Sequence, residues 1–152
     1  MIRDVLRHPD ARLKRAAAAA TGDLSAIVAD LVDTMRSHQR CVGIAAPQIG
    51  VDARVCVVDC SGHPKAPDAQ GLIVLVNPVL ELGEESEVGR EGCLSVPELT
   101  ANVRRSLEVN VVGGVRAVGF EARAIQHEVD HLDGILFLDR VVSAADVFVR
   151  KR

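Results

Sequence analysis

Apolar residues recur at helical spacing in two parts of the chain. The first stripe begins at Leu24 and continues through Ile27, Val28, Leu31, Val32 and Met35. This spacing predicts an amphipathic helix that ends near His38. Asp23 is its predicted N-cap, because a carboxylate accepts hydrogen bonds from the first free backbone N–H groups. A second helix is predicted from about Glu121 to Asp133, with Gly134 suited to the left-handed turn that ends it.

Between these helices, apolar residues form short β-branched runs bounded by Gly, Pro, Asp and Ser. Strands are predicted at 54–59, 72–77 and 107–112. Residues 115–118 are predicted to return antiparallel to the third run, across the Gly113-Gly114 turn. Because the strands precede the late helix without regular βαβ alternation, the pattern favours an α+β fold with short antiparallel strands packed around that helix.

Length and composition indicate one globular domain over residues 1–152. Apolar residues make up 48% of the chain and charged residues 26%, the balance of a folded protein. The formal net charge is −3, and the chain has three Phe, no Trp and no Tyr. Neither a basic surface nor a base-stacking platform therefore indicates DNA as a partner.

The same analysis bears on location. No apolar run approaches the ~18 residues that span a bilayer, so no membrane association is predicted. The N-terminus, Met1-Ile-Arg-Asp4, lacks the apolar segment of a secretion signal. The predicted location is the cytoplasm, where the four cysteines stay reduced and available for metal binding or catalysis.

The sharpest chemical pattern is His127-Glu128-Val129-Asp130-His131. Residues four apart on a helix lie one turn above each other, roughly 6 Å along the axis. Two imidazoles so placed can hold one metal ion, and Glu128 lies beside it on the helix. The pattern predicts a metal-binding second helix, and its alternative is an exposed face of charged and polar side chains.

Two imidazoles do not complete a catalytic metal site, which usually has three protein ligands and one open position. Cys93, in the segment 91–97, is the candidate for the third ligand. Gly92 removes a side chain that would crowd the backbone near a metal, and Pro97 is predicted to end the strand. For a lone cysteine the alternative is a small buried hydrophobe, which is the prediction for Cys56.

The segment Gly43-Ile-Ala-Ala-Pro-Gln48 follows the first helix. Its small residues let the chain pass close to a ligand or to another backbone. Gln48 supplies an uncharged amide donor of the kind that stabilises an oxyanion. Taken alone, the segment equally describes a tightly packed turn.

Together these segments resemble the peptide deformylase family. Its three ordered motifs stand here as Cys41-Val-Gly-Ile-Ala-Ala-Pro-Gln48, Glu91-Gly-Cys-Leu-Ser95 and Gln126-His-Glu-Val-Asp-His-Leu-Asp-Gly134. The resemblance also covers Val5–Pro9 and Asn77-Pro78, and so spans nearly the whole chain. It implies an α+β fold built around a central metal-binding helix.

The resemblance implies a metal-dependent hydrolase that removes the formyl group from the N-terminal formyl-methionine of nascent polypeptides and releases formate. One divalent metal ion per chain is implied, Fe²⁺ in the cell with Zn²⁺ or Ni²⁺ as substitutes. Metal-bound water would attack the formyl carbon while Glu128 acts as general acid and base. The implied metal ligands are Cys93, His127 and His131, and the implied oxyanion donors are Gln48 and the backbone N–H of Leu94.

Residues around the metal helix suggest how the site is built and what it binds. Phe120 and Ala124 lie on the face of His127, where they are predicted either to hold a methionine side chain or to be ordinary core. Val42 and Gly43 are predicted to pair with the substrate backbone, as a strand would.

Two acidic residues are candidates to orient the histidines. Glu91 and Asp130 are expected to accept hydrogen bonds from ring nitrogens of the metal ligands. For Asp130, a solvated helix charge is an equal alternative. The two assignments differ in burial and in the partners of the carboxylate.

Several positions depart from the family pattern. Cys41 replaces the first glycine of the leading motif, and the hairpin at 112–115 is shorter than in relatives. Only twelve residues follow Arg140, too few for the long C-terminal helix of many relatives. The basic tail 150–152 is expected to be solvated, with a transient ribosome contact as its one functional interpretation.

Two rival interpretations remain open from the sequence. A His-Glu-x-x-His metallopeptidase would cut peptide bonds rather than formyl bonds, although such enzymes rarely use cysteine as third ligand. A deformylase-like metal-binding protein with altered or lost activity would have its fourth metal position closed, by Cys41 or Cys60. A monomer is the predicted oligomeric state.

Overall fold

The computed structural model describes residues 1–150, which form two α-helices, nine strands and several short 3-10 helices. The helices are α1 (Ser25–Arg36) and α2 (Gly119–Leu132). The strands are β1 (Gly43–Ala45), β2 (Val55–Asp59), β3 (Leu72–Val76), β4 (Leu80–Leu82), β5 (Ser86–Cys93), β6 (Val96–Ser106), β7 (Glu108–Val111), β8 (Arg116–Val118) and β9 (Val147–Val149). No helix within 1–150 is both long enough and apolar enough to cross a membrane.

The strands form three small antiparallel sheets, in the orders β1-β2-β3, β4-β7-β8 and β5-β6-β9. The predicted strands at 54–59, 72–77 and 107–112 correspond to β2, β3 and β7. The predicted return strand is β8, which pairs antiparallel with β7 from Glu108↔Val118 to Asn110↔Arg116.

The longest hairpin, β5–β6, was not predicted from apolar patterning. Pro97 does not end a strand: it is the second residue of β6, just after the tight turn in which Cys93 pairs with Val96. The register shifts between Gly92 and Cys93, which indicates a β-bulge at the strand end. Bulges re-aim side chains at such positions, and here the affected residue is the candidate metal ligand.

Both predicted helices exist, with different starting residues. The N-cap of α1 is Leu24, and Asp23 lies one residue earlier, where its carboxylate accepts hydrogen bonds from the Ser25 backbone and hydroxyl. A turn at Asp133 ends α2, and Gly134 follows with a φ of +73°. A side chain at Gly134 would also collide with the backbone of Arg15, so both conformation and space require glycine there.

Helix α2 is enclosed by the rest of the molecule. It contacts strands of all three sheets, including β2, β7 and β6. Eleven of its fourteen residues are buried, among them five with charged or titratable side chains. Buried polar groups need partners, so the face of α2 that carries the His-Glu-x-x-His pattern must have its own hydrogen-bonding network or a bound ion.

Candidate metal centre and active site

Cys93, His127 and His131 come together in the interior of the molecule. One ligand atom from each lies within 4.8 Å of the other two, and all three residues are buried. The Cys93 sulfur lies 3.3 Å from Nε2 of His131. The predicted ligand residues are therefore brought together although Cys93 and His127 are 34 positions apart in the sequence.

Each ligand is positioned by a different local feature. The two histidines are four residues apart on α2, so their rings share one face with centroids 5.2 Å apart. Cys93 ends β5 at the bulge, and the hairpin turn directs its side chain toward this face of α2. A helix and the end of a strand thus bring two ring nitrogens and one sulfur together.

Glu91 orients the ring of His127, as predicted. Its Oε1 lies 2.8 Å from His127 Nδ1, which leaves Nε2 of that ring to face the ligand group. Arg105 holds the other side of Glu91 in a bidentate pair, with N···O distances of 2.9 and 3.0 Å. Burial alone would raise the pKa of the Glu91 carboxyl, but hydrogen bonds from His127 and Arg105 keep it well below its usual value.

Asp130 fits neither sequence-based assignment. It is buried rather than solvated, and its hydrogen-bond partners within 1–150 are Arg105 and Arg140, not a histidine. Arg105 therefore bridges Asp130 and Glu91. This network fixes α2 relative to the β5–β6 hairpin, and so fixes the histidines relative to Cys93.

Electrostatics favour the thiolate form of Cys93. Burial would raise the pKa of the Cys93 thiol, but the adjacent rings of His131 and His127 outweigh burial and hold it well below its ordinary value. A thiolate is the form of cysteine that binds metal. For comparison, burial raises the pKa of Cys60 to about 12, and Cys56 lies fully buried in β2 as a small hydrophobe.

Glu128 lies beside the ligand group with one oxygen uncommitted. Its side chain is buried, and Oε1 has no hydrogen-bond partner within residues 1–150. Burial raises the pKa of Glu128 to about 7, although His127 and His131 act in the opposite direction. A buried carboxyl with a pKa near neutrality suits proton transfer.

Gly43 lies directly against Glu128. A Cβ atom at Gly43 would lie 2.7 Å from Oε2 and 2.8 Å from Cγ of Glu128. The small residue predicted to allow close approach therefore accommodates the acid side chain. The carbonyl of Val42, just before β1, accepts a hydrogen bond from the Asp59 backbone of β2. Neighbouring residues of a strand point their backbone N–H and C=O groups to opposite sides, so those of Gly43 face the open edge of β1.

Gln48 is locked with its amide group toward Cys93. Its Oε1 accepts from the Ala45 backbone at 2.9 Å, and its Nε2 donates to Ser95 at 3.0 Å. The same nitrogen lies 3.5 Å from the Cys93 sulfur. Because the oxygen is held by a backbone donor, the donor end of the amide faces the site.

A cavity of about 310 Å³ opens onto this group of residues. Its walls include Gln48, Cys93, Leu94 and Glu128 together with the predicted substrate-binding residues Val42, Gly43, Phe120 and Ala124. The Phe120 ring stacks on His63, with centroids 4.2 Å apart and planes inclined by 12°. Nine of the ten sequence-predicted site residues thus line one cavity, and the tenth, His131, contacts the Cys93 sulfur.

Comparison with known proteins identifies the family of the chain. A family model described as polypeptide deformylase matches residues 2–146. The chain belongs to the peptide deformylase family. The predicted family, enzyme class and α+β fold are therefore confirmed.

Individual deformylases are similar over nearly their whole length. A peptide deformylase of Thermodesulfovibrio yellowstonii is 38% identical over 99% of this chain and 96% of its own length. One from Halothermothrix orenii is 43% identical over 81% of this chain and 80% of its own. A class I type b peptide deformylase from Acinetobacter baumannii, solved with Met-Ala-Ser bound, superposes with a TM-score of 0.81 at 36% identity, covering 93% and 99% of the two chains.

The departures from the family pattern leave the ligand group of this deformylase intact. Cys41 donates from its sulfur to the Gly43 carbonyl at 3.2 Å, and burial raises its pKa to about 12. Within residues 1–150, neither Cys41 nor Cys60 joins the group that could hold a metal ion. The interpretation of a closed, inactive metal site is therefore not favoured.

The C-terminal segment of the deformylase lies beside the cavity. Strand β9 pairs with β6, and Arg150, which is exposed as predicted, also lines the cavity wall next to Gly92. A side chain at Gly92 would collide with the Arg150 guanidinium, so the glycine makes room for it. The rest of the basic tail, Lys151 and Arg152, lies outside the described residues.

Two arginines of the site were missed by the sequence analysis. Arg105 and Arg123 both bond Glu91, the first at 2.9 and 3.0 Å and the second at 2.7 Å. Their roles depend on the register of β5 with β6 and on the packing of α2 over that hairpin. The available signal was an arginine at a strand position that faces the interior, as Arg105 does in β6.

Proposed function

We propose that this deformylase hydrolyses the formyl group of N-terminal formyl-methionine on nascent polypeptides, with Cys93, His127 and His131 holding one divalent metal ion. The observation that carries the proposal is the buried ligand group beside Glu128, whose Oε1 lacks a partner within residues 1–150. A thiolate with two imidazoles suits Fe²⁺, Zn²⁺ or Ni²⁺ rather than Mg²⁺ or Ca²⁺.

A divalent metal held by Cys93, His127 and His131 would supply Lewis acidity and would make water acidic enough to attack near neutral pH. Glu128 accepts the proton of the attacking water as the new C–O bond forms. It then delivers that proton to the amine nitrogen as the C–N bond breaks, which leaves formate and a free N-terminus. The pKa of about 7 lets Glu128 both accept and release the proton near neutrality.

Gln48 and Leu94 are proposed to stabilise the oxyanion that develops on the formyl oxygen. The Gln48 amide has one hydrogen for Ser95 and a second for the side that faces Cys93. The Leu94 backbone N–H, next to Cys93 in the hairpin turn, is the second donor. Fixed donors of this kind contribute roughly 10²–10³-fold to catalysis.

The substrate is proposed to lie along the open edge of β1. Gly43 offers backbone groups there, and the methionine side chain enters the part of the cavity bounded by Phe120 and Ala124. The Acinetobacter deformylase that holds Met-Ala-Ser supports this class of ligand. The cavity volume of about 310 Å³ is at the lower end of the usual range for small-ligand sites.

The remaining parts of the proposal concern the cellular context. We propose Fe²⁺ as the native metal, a single-domain monomer in the cytoplasm, and transient contact with the ribosome, where formyl-methionine is found. Metal analysis of anaerobically purified protein tests the first part, and sedimentation tests the monomer. Co-sedimentation with ribosomes at rising salt tests the contact.

The decisive experiment measures formate release from formyl-Met-Ala-Ser by anaerobic, iron-loaded protein. Unformylated Met-Ala-Ser is the matched substrate control, and Cys93→Ser is the matched protein control. Deformylation with no cleavage of the unformylated peptide supports the proposal. Peptide-bond cleavage would support the metallopeptidase interpretation, and metal binding without turnover would support the inactive one.

A further inference from the structure

We propose that Arg123 and Gly89 together determine which side chains the deformylase accepts at the first residue of its substrate. The inference rests on the proposed function, because it assumes that the methionine side chain enters beside Phe120 and Ala124. Arg123 adjoins both residues on α2 and also lines the cavity. A guanidinium free in this space would oppose an apolar side chain, so its location decides the character of the pocket.

The guanidinium of Arg123 is bound by three acceptors. One nitrogen donates to Glu91 Oε2 at 2.7 Å and to the Val103 carbonyl at 2.8 Å. Another donates to the Glu87 carbonyl at 2.8 Å. These acceptors lie on β5 and β6, so the charged end of Arg123 is bound against the hairpin. The methylene stem of Arg123 is therefore assigned to the cavity wall beside Phe120 and Ala124.

Gly89 supplies the space that this arrangement needs. A Cβ atom at Gly89 would lie 2.9 Å from Cζ, 3.0 Å from Nη2 and 3.1 Å from Nε of Arg123. The backbone does not require glycine here, because Gly89 is not among the positive-φ residues and pairs with Val103 in the middle of the hairpin. Glycine at this position is therefore explained by the guanidinium that packs over it.

The resulting pocket favours an unbranched apolar side chain. Phe120, Arg123 and Ala124 stand at i, i+3 and i+4 on one face of α2. The Phe120 ring is held by its stack on His63, so the aromatic wall is fixed. An aromatic ring, a methylene stem and a methyl group would give this part of the cavity an apolar wall, which stays apolar only while the guanidinium is bound at the hairpin.

The test is a double-substitution cycle read by binding as well as by turnover. Gly89→Ala, Arg123→Met and the combined variant are compared with wild type in the metal-loaded protein. Calorimetry gives the Kd for the product peptide Met-Ala-Ser, and formate release gives KM and kcat for formyl-Met-Ala-Ser. Gly114→Ala is the matched control, because a Cβ there meets only ordinary contacts, the nearest at 3.5 Å.

Gly89→Ala is expected to raise Kd and KM about 10-fold, since a displaced guanidinium takes up space worth at least one methylene of the substrate. In the Arg123→Met background the same glycine substitution is expected to change Kd less than about 2-fold, because methionine has no charged group to displace. Equal effects of Gly89→Ala in both backgrounds would overturn the proposal, as would wild-type binding by Gly89→Ala.

Arg123→Lys keeps the proposal testable if Gly89→Ala fails to fold. A lysine ammonium cannot span the three acceptors as a planar guanidinium does, so Arg123→Lys is expected to bind Met-Ala-Ser more weakly than Arg123→Met. Equal or tighter binding by the lysine variant would contradict the inference. Absence of formate release by wild type would instead contradict the proposed function, since the binding measurements do not depend on turnover.

Discussion

Substituting Gly43 by alanine tests whether the position of Glu128 controls the reaction. The added Cβ would lie 2.7 Å from Oε2, 2.8 Å from Cγ and 3.0 Å from Cδ of Glu128, whereas ordinary Cβ contacts begin at 3.4 Å. The carboxylate must therefore move by about 0.7 Å, because the β1 backbone is held by pairing with β2 and the α2 backbone is buried.

A displacement of this size has a predictable consequence for the rate. Misplacing a reacting group by about 1 Å costs on the order of 10²-fold, which corresponds to about 2.7 kcal/mol of activation free energy. Gly43→Ala is therefore expected to lower kcat by roughly 10²-fold while the protein keeps its metal. Formate release measured at fixed times gives kcat. Metal analysis of the same sample shows whether the ligand group still binds its metal.

The outcome is decided by repeating the substitution in a Glu128→Gln background. If Gly43→Ala acts through Glu128, it costs little once the acid is already absent, because groups that act together are strongly non-additive. An equal loss of kcat in both backgrounds would refute this reasoning. A single Gly43→Ala variant with kcat within about threefold of wild type would refute it as well.

Four further outcomes are expected from the same structure. Glu128→Gln retains metal and lowers kcat by about 10²–10⁴-fold. In wild type, kcat/KM falls as pH decreases through an acid limb between 4.5 and about 7, because burial raises the pKa of Glu128 and its deprotonated form accepts the proton. Iodoacetamide at pH 8 modifies Cys93 in metal-free protein and spares it in metal-loaded protein, while Cys60, its pKa raised to about 12 by burial, stays unmodified; mass spectrometry detects both. Arg105→Met lowers the free energy of unfolding in urea by about 3–5 kcal/mol, since it leaves two buried carboxylates without their shared partner.

Each of these has a contradicting result. A Glu128→Gln variant with wild-type turnover would remove Glu128 from proton transfer, and persistence of the acid limb in that variant would assign the limb to another group. Alkylation of Cys93 at the same rate with and without metal would exclude it from the ligand set. Arg104→Met is the control for Arg105→Met, because Arg104 is exposed on the same strand; equal costs for the two would show that the buried pairs contribute nothing specific.

The residues of the candidate ligand group were predictable because their signals are local. His127 and His131 need only the periodicity of a helix to share a face, and Cys93 was distinguished by the short motif around it. The helices and the strands β2, β3, β7 and β8 also follow from apolar spacing over a few residues. Such patterns act within one element and do not depend on how elements pack.

The unpredicted features depend on contacts between elements. Strand β5 has mostly polar and exposed residues, so its existence follows from pairing with β6 rather than from its own pattern. Arg105 and Arg123 meet at Glu91 only because the hairpin register and the position of α2 bring them there. The direction of the Arg150 side chain likewise depends on β9 pairing with β6.

The ion pairs around Glu91 and Asp130 have a consequence for how the protein acquires its cofactor. Three guanidinium groups, from Arg105, Arg123 and Arg140, form ion pairs with these two carboxylates. We therefore expect the ligand residues to keep their positions in metal-free protein, unlike those of a zinc finger, in which metal binding and chain folding are one event. Cations would then exchange at this centre without unfolding the chain, and cellular supply rather than the folding reaction would decide which metal occupies it.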